Sequence, residues 1–266
     1  MSSVIQAIDP ELKAAARTYG IKPSLVNLIV LFPVVLVVMY VFFVLFPPTR
    51  SVALYLVWGE NSLVEDLTFI FLLSGAVLGL RLAWRTKKLR GAVLASAFFV
   101  LFSVGLLFTA GEEVAWGETF VCEGGCDRYE TPSVFKLTNK DAPESSFHNA
   151  YMSGHTGFLR LAFGVGGLIG VLSPSLRRFL NVEVPAILSL WFFIITVETV
   201  IYLYCRYLPC PGDLGFLYAD VASFSARMTE TVEMMIGLTG LLFVWLNSRM
   251  LSFRAKTPPG VRRLEH

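Results

Sequence analysis

Glu144 and His148 stand four residues apart in Glu144-Ser-Ser-Phe-His148-Asn149-Ala-Tyr151-Met-Ser-Gly-His155. In a helix, at about 100° per residue, His148, Tyr151 and His155 fall within about 40° of Glu144, on one stripe. A carboxylate and an imidazole so spaced can share a metal ion, or the carboxylate can orient the ring through its second nitrogen. Ser153-Gly154 is a point where such a helix can break, which would move His155 off the stripe. A second constellation, Gly111-Glu112-Glu113-Val-Ala-Trp116-Gly117-Glu118, ends an apolar run with paired carboxylates. Such a pair binds a divalent cation, shares a proton or holds a buried arginine. The expected metal ligands are therefore Glu112, Glu113, Glu144, His148 and His155, with Glu112, Glu113 and His148 as the expected catalytic groups. A divalent ion there, zinc or calcium, would polarise a carbonyl or phosphoryl oxygen and acidify a bound water. One carboxylate would serve as general base.

Four further charged residues fall at membrane depth: Arg160, Glu198, Glu230 and Glu233. Each costs roughly 2.5 to 3.5 kcal/mol at a bilayer centre on insertion scales, so each must face a partner or a polar path. Arg160 needs an acidic partner, for which Glu112, Glu198 and Glu230 are the candidates. Structural ion pairing explains part of this set without chemistry. Glu230 and Glu233 share a face with Gly237, which points that face into a bundle. Trp58-Gly-Glu60-Asn61 and Glu65-Asp66 add oxygen groups that suit calcium or water. Tyr55, Trp58, Trp116, Tyr202 and Tyr204 suit an interfacial aromatic belt.

These residues must be positioned by an all-α, polytopic bundle. The 266 residues are 55% hydrophobic and only 16% charged, whereas a water-soluble domain carries about 25% charge. No nucleic-acid footprint is present, and the lipid bilayer is the first partner. Apolar runs at 26–46, 63–80, 92–110, 157–172, 184–204 and roughly 222–246 predict about six transmembrane helices, each near the ~20 residues that cross a hydrocarbon core. The first run is too long for a signal-peptide core and follows no cleavage site. Asp9-Pro10-Glu11 reads as an N-cap, a first-position proline and an acidic first turn of a short interfacial helix.

The domains follow: a cytoplasmic N-terminal segment 1–25, a six-helix domain 26–248 with a periplasmic loop 119–150, and a cytoplasmic tail 249–266. Leu264-Glu265-His266 resembles a purification-tag remnant and is left out of functional reasoning. Both termini inside places 15 of the 22 basic residues on the cytoplasmic side, as the positive-inside rule favours. A bacterial inner membrane, crossed several times, is the expected location. Cys122, Cys126, Cys205 and Cys210 then face an oxidising compartment and are disulfide candidates, with three connectivities open. Gly166-x-x-x-Gly170 has the spacing of a close helix-packing contact.

Glu60-Asn61 with Glu65, then Gly111-Glu112-Glu113-Val114-Ala115-Trp116-Gly117, then Glu144-x-x-x-His148-Asn149 resemble, in that order, a family of small prokaryotic integral-membrane proteins with GEE-x-x-WG and E-x-x-x-HN motifs. The resemblance covers roughly spans two to four and singles out Glu112, Glu113, Glu144 and His148. It departs at Glu118, where the family pattern has glutamine. Trp58-Gly-Glu60-Asn61 with Glu65 is more faintly similar to the calcium-binding segment of the alkaline ceramidase-like membrane hydrolases. With only His148 and His155 apart from the tag, that family's three-histidine zinc site is excluded.

Three functions are expected from these features. The first is a metal-dependent hydrolase or transferase acting on a lipid or lipid-linked substrate at the periplasmic face. The second is a proton- or cation-coupled transporter lined by Arg160, Glu198, Glu230 and Glu233. The third is a non-enzymatic assembly protein, whose protein partners the sequence does not name.

Overall fold

The computed structural model describes residues 2–45, 63–89, 92–113, 156–175, 179, 182–208 and 216–256. The side chains of 2–9, 43–45, 112, 216–227 and 254–256 are not described. The candidate residues Cys122, Cys126, Glu144, His148, His155 and Cys210, the loop 119–150 and the tail from 257 onward all lie outside the described residues.

The described residues form seven α-helices: α1 Ser2–Tyr19, α2 Pro23–Leu45, α3 Leu63–Lys87, α4 Val93–Glu113, α5 Thr156–Leu172, α6 Ser189–Tyr207 and α7 Phe216–Lys256. A 3-10 turn, Ala186–Leu188, leads into α6. No strand occurs among the described residues. Five helices, α2, α3, α4, α6 and α7, are long and apolar enough to cross a membrane. The expected fourth span is α5, an apolar helix of 17 residues, about 25 Å long at 1.5 Å per residue and so shorter than a ~30 Å core. The surface agrees with a lipid solvent. Leu31, Val38 and Phe42 of α2, Val77 of α3 and Leu101 and Val104 of α4 are each more than half exposed, large apolar side chains that water would not favour on three separate helices. The chain is a multi-pass helical membrane protein.

α3 packs along α4 and α7, α5 along α6, and α6 along α7, while α1 lies against α2 and α7. The bundle has two chemically different ends. At the basic end, Arg85 donates to Ser248 Oγ at 3.2 Å and Ser252 Oγ at 3.0 Å, fastening α3 to α7. Lys87 and Lys88 stand over the exposed Trp84 ring. At the other end lie Glu65, Asp66, Glu113, Glu230 and Glu233.

α1 starts at Ser2, so Pro10 lies inside the helix and not at its first position as the Asp9 cap suggested. The apolar Val4, Ile5 and Ile8 extend the helical pattern upstream of the proline. α1 ends on Gly20, whose φ of 59° is the left-handed conformation that glycine adopts without strain. Ile21 N–H donates to Ala16 O at 3.0 Å and Gly20 N–H to Arg17 O at 3.2 Å, the paired bonds of a Schellman cap. Arg249 of α7 donates to Gly20 O and ties this corner to the bundle.

α2 contains Pro33, which has no N–H and so deprives the carbonyl of Ile29 of its helical donor. In lipid that carbonyl cannot turn to water. Trp191 of α6, 1% exposed, donates its indole N–H to Ile29 O at 2.7 Å and stacks on Phe32 at 5.9 Å between centroids. Asn247 of α7 likewise reaches out of its helix, donating to Glu183 O at 2.9 Å.

Candidate functional site

α5 and α6 run antiparallel at close range. A side chain at Gly157 would meet Leu203 at 2.7 Å, one at Gly164 would meet Thr196 Oγ1 at 2.5 Å, and one at Gly170 would meet Val184 at 2.6 Å. A side chain at Gly167 would run into the Phe192 ring, so the close-packing stripe is Gly157, Gly164, Gly167 and Gly170. Gly166 has nothing within 4 Å, so the Gly166-x-x-x-Gly170 pairing read from the sequence is only half correct. A period of four drifts around a helix with 3.6 residues per turn, leaving Gly166 beyond the contact.

Arg160, on α5 between Gly157 and Gly164, is carried into the bundle by this approach. Its Nη2 donates to Glu233 Oε1 of α7 at 2.5 Å, with the two side chains 11% and 23% exposed. The guanidinium also sits 5.6 Å from the centroid of the Tyr202 ring, within range of a cation–π contact. Arg206 donates to Tyr202 Oη at 2.6 Å from one turn further along α6. The acidic partner of Arg160 is thus Glu233. Of the three carboxylates expected, Glu198 joins the electrostatic cluster with Arg160 and Glu233, while Glu230 engages other groups and the side chain of Glu112 is not described.

Glu198 is 8% exposed. Both of its oxygens, together with Nε and Nη1 of Arg160, are buried without a hydrogen-bond partner among the described residues. One cation and two carboxylates meet here, Glu198 buried and Glu233 partly exposed, with two donor nitrogens and two carboxylate oxygens unpartnered among the described residues. Polar groups in that state lose their hydration and keep their full capacity for a ligand.

Next to it, α3 and α7 run in parallel, with Gly75 against Leu241 and Gly237 against Thr68. The same register sets Asp66, fully buried in the first turn of α3, level with Thr231 of α7. Thr231 Oγ1 is buried with no hydrogen-bond partner among the described residues. Glu65 and Asp66 are thus inside the bundle, where the sequence left open a solvated position. Gly237 faces α3 whereas Glu233 faces α5, so the single inward face read from the sequence is divided between two neighbours.

Tyr202 and Thr231 were not singled out as site residues by sequence. The signal for Tyr202 was its position one turn after Glu198, outweighed by its fit to an aromatic belt. Of the expected metal ligands, Glu112 and Glu113 end α4. Among the described residues no group of three or more His, Cys, Asp or Glu is placed to hold a metal ion. Cys205 lies in the last turns of α6, and Cys122, Cys126 and Cys210 lie outside the described residues.

Fold and site together define a class: a multi-pass helical membrane protein with a buried mixed-charge cluster toward the acidic end of its bundle. No family model, curated protein or solved structure matches the chain.

Proposed function

We propose that the protein binds a lipid or lipid-linked substrate at the periplasmic face of a bacterial inner membrane and hydrolyses it or transfers part of it. The observation that carries this reading is Glu198, buried with neither oxygen partnered among the described residues, beside donors of Arg160 that have no partner among them either. A bundle stabilised only by ion pairing would leave neither group short of bonds, because a half-satisfied buried network costs more than an apolar core. A polar headgroup that offers both an acceptor and a donor completes it. Glu233 holds Arg160 in place, and Tyr202 supplies a polarisable face to the same guanidinium.

The chemistry is assigned to Glu112, Glu113, Glu144, His148 and His155, with a divalent zinc or calcium ion as the cofactor they would hold. A disulfide between Cys205 and one of Cys122, Cys126 and Cys210 would fit an oxidising compartment on this side. Elemental analysis of protein purified in detergent without a metal-affinity step tests the assignment. Near-stoichiometric metal in the wild type, lost in both Glu112→Gln and His148→Ala, is the expected result. No metal in folded wild type removes metal-dependent hydrolysis and leaves the lipid site to be tested by binding alone.

A further inference from the structure

An apolar cleft of about 290 Å³, walled by Phe98, Phe163 and Phe243 and floored by Gly166 and Gly167, carries no polar side chain with which to select an occupant. The outer face of α3 carries several. At the basic end of this helix Trp84 is 65% exposed. The ammonium groups of Lys87 and Lys88 stand 5.9 and 6.0 Å from the centroid of its ring, at the limit of a cation–π contact. Arg81, one turn before Trp84, is exposed as well. Whereas Arg85 turns inward to Ser248 and Ser252, the side chains of Arg81, Lys87 and Lys88 have no ion pair or hydrogen bond among the described residues, and the Trp84 indole N–H has no acceptor among them.

At about 100° per residue, Val77, Leu80, Arg81, Lys87 and Lys88 all fall within about 60° of Trp84. Ile70 falls on the same face, and Val77 and Leu80 are 62% and 43% exposed. One face of one helix thus presents donors and positive charge at its basic end and a strip of hydrocarbon beside them. From Trp84 to Ile70 the strip runs about 21 Å at 1.5 Å per residue.

We infer that this face binds an anionic phospholipid, its phosphate held by Arg81, Trp84, Lys87 and Lys88 and one acyl chain lying along Leu80, Val77 and Ile70. The site is at the opposite end of the bundle from the Arg160–Glu198 cluster and is independent of the proposed substrate. Charge selects the head. Three cations face outward together, and the C-terminal dipole of α3 sets only about half a negative charge against them. Every polar group here is a donor, so the ligand must bring both acceptors and negative charge, as a phosphodiester does. A zwitterionic head brings an ammonium group as well, which Lys87 and Lys88 repel. Position selects a lipid over a free anion. Tryptophan sits by preference at headgroup level, and lysine side chains at the end of a span reach to that level. The donors therefore lie where lipid phosphates lie, with the hydrocarbon strip directly beneath them.

The test places the full-length protein in nanodiscs of zwitterionic lipid doped with phosphatidylglycerol or, separately, phosphatidylethanolamine, each carrying a mid-chain diazirine, and maps cross-linked peptides by mass spectrometry. The phosphatidylglycerol probe should label the Ile70–Leu80 segment at least about fivefold more than the phosphatidylethanolamine probe, the effect of roughly one cation at an anionic lipid surface. The two probes should label the exposed Phe193–Val200 face of α6 equally. Lys87→Gln combined with Lys88→Gln should bring the α3 ratio down to the α6 value. Arg17→Gln combined with Lys22→Gln removes the same charge from exposed positions at the same end and should leave the α3 ratio unchanged. Equal labelling of α3 by both probes in the wild type overturns the inference. An equal fall in the two double variants shows that net charge draws the probe without a site, and overturns it too. Displacement of the α3 label by inorganic phosphate overturns the assignment to a lipid.

Discussion

Arg160 lies between Glu233 and Glu198, and the three do not contribute equally. Glu233 is bonded to it at 2.5 Å, while Glu198 lies within electrostatic reach with its oxygens unsatisfied. Removing the cation leaves two like charges in a dry site, and stranding a buried charge costs about 3 to 5 kcal/mol. Arg160→Gln should therefore be the most destabilising change of the set. Glu198→Gln removes a charge that lacks hydrogen bonds, so it should be close to neutral for stability and should recover part of the loss when combined with Arg160→Gln. Reversible unfolding in mixed micelles measures both. Equal destabilisation by Glu198→Gln and Arg160→Gln would show a fully paired network and not a site with bonding capacity to spare.

Among the elements, α2 and α6 show how a local defect becomes a tertiary contact. Pro33 removes the donor for Ile29 O, and Trp191 supplies another at 2.7 Å. Trp191→Phe keeps much of the ring volume and orphans the carbonyl, a loss of about 1 to 3 kcal/mol for a buried group. In a Pro33→Ala background residue 33 regains its N–H and can satisfy Ile29 within the helix. The cost of Trp191→Phe should then shrink, and a double-mutant cycle by thermal unfolding reads the coupling. An unchanged cost in both backgrounds would assign the role of Trp191 to packing alone.

For the whole molecule, the separation of charge is the organising feature. Basic side chains at one end face Ser248, Ser252 and Gly20 O, and carboxylates collect toward the other. The positive-inside rule predicts that the basic end faces the cytoplasm. In a variant lacking native free thiols, a single cysteine at Lys88 should react with membrane-impermeant maleimide only after the cells are opened. One at Leu63, at the start of α3, should react in intact spheroplasts. The reverse pattern would move the Arg160–Glu198 cluster to the cytoplasmic leaflet and with it the proposed substrate. The 41-residue α7 links the two ends, carrying Glu233 near one and Arg249 near the other.

Much of this architecture was legible in the residues themselves. Long apolar runs fix helices and a lipid solvent because an unpaired backbone in hydrocarbon is too costly for any other open form. Charges within such runs mark a site for the same reason, which is why Arg160, Glu198 and Glu233 were identifiable one by one. Their pairing was not, since Glu233 lies 73 residues from Arg160 and helical periodicity is silent about which helix becomes a neighbour. Nor could the sequence show that Gly166 opens onto a cleft while Gly164 is packed against Thr196, because two glycines on one helix differ only in what the fold brings opposite them. Composition and spacing determined that the protein is a helical membrane bundle with costly buried charges. Tertiary packing alone decided which charges meet, which bonds remain unfilled among the described residues and where a cavity lies, because these depend on contacts between segments far apart in the chain.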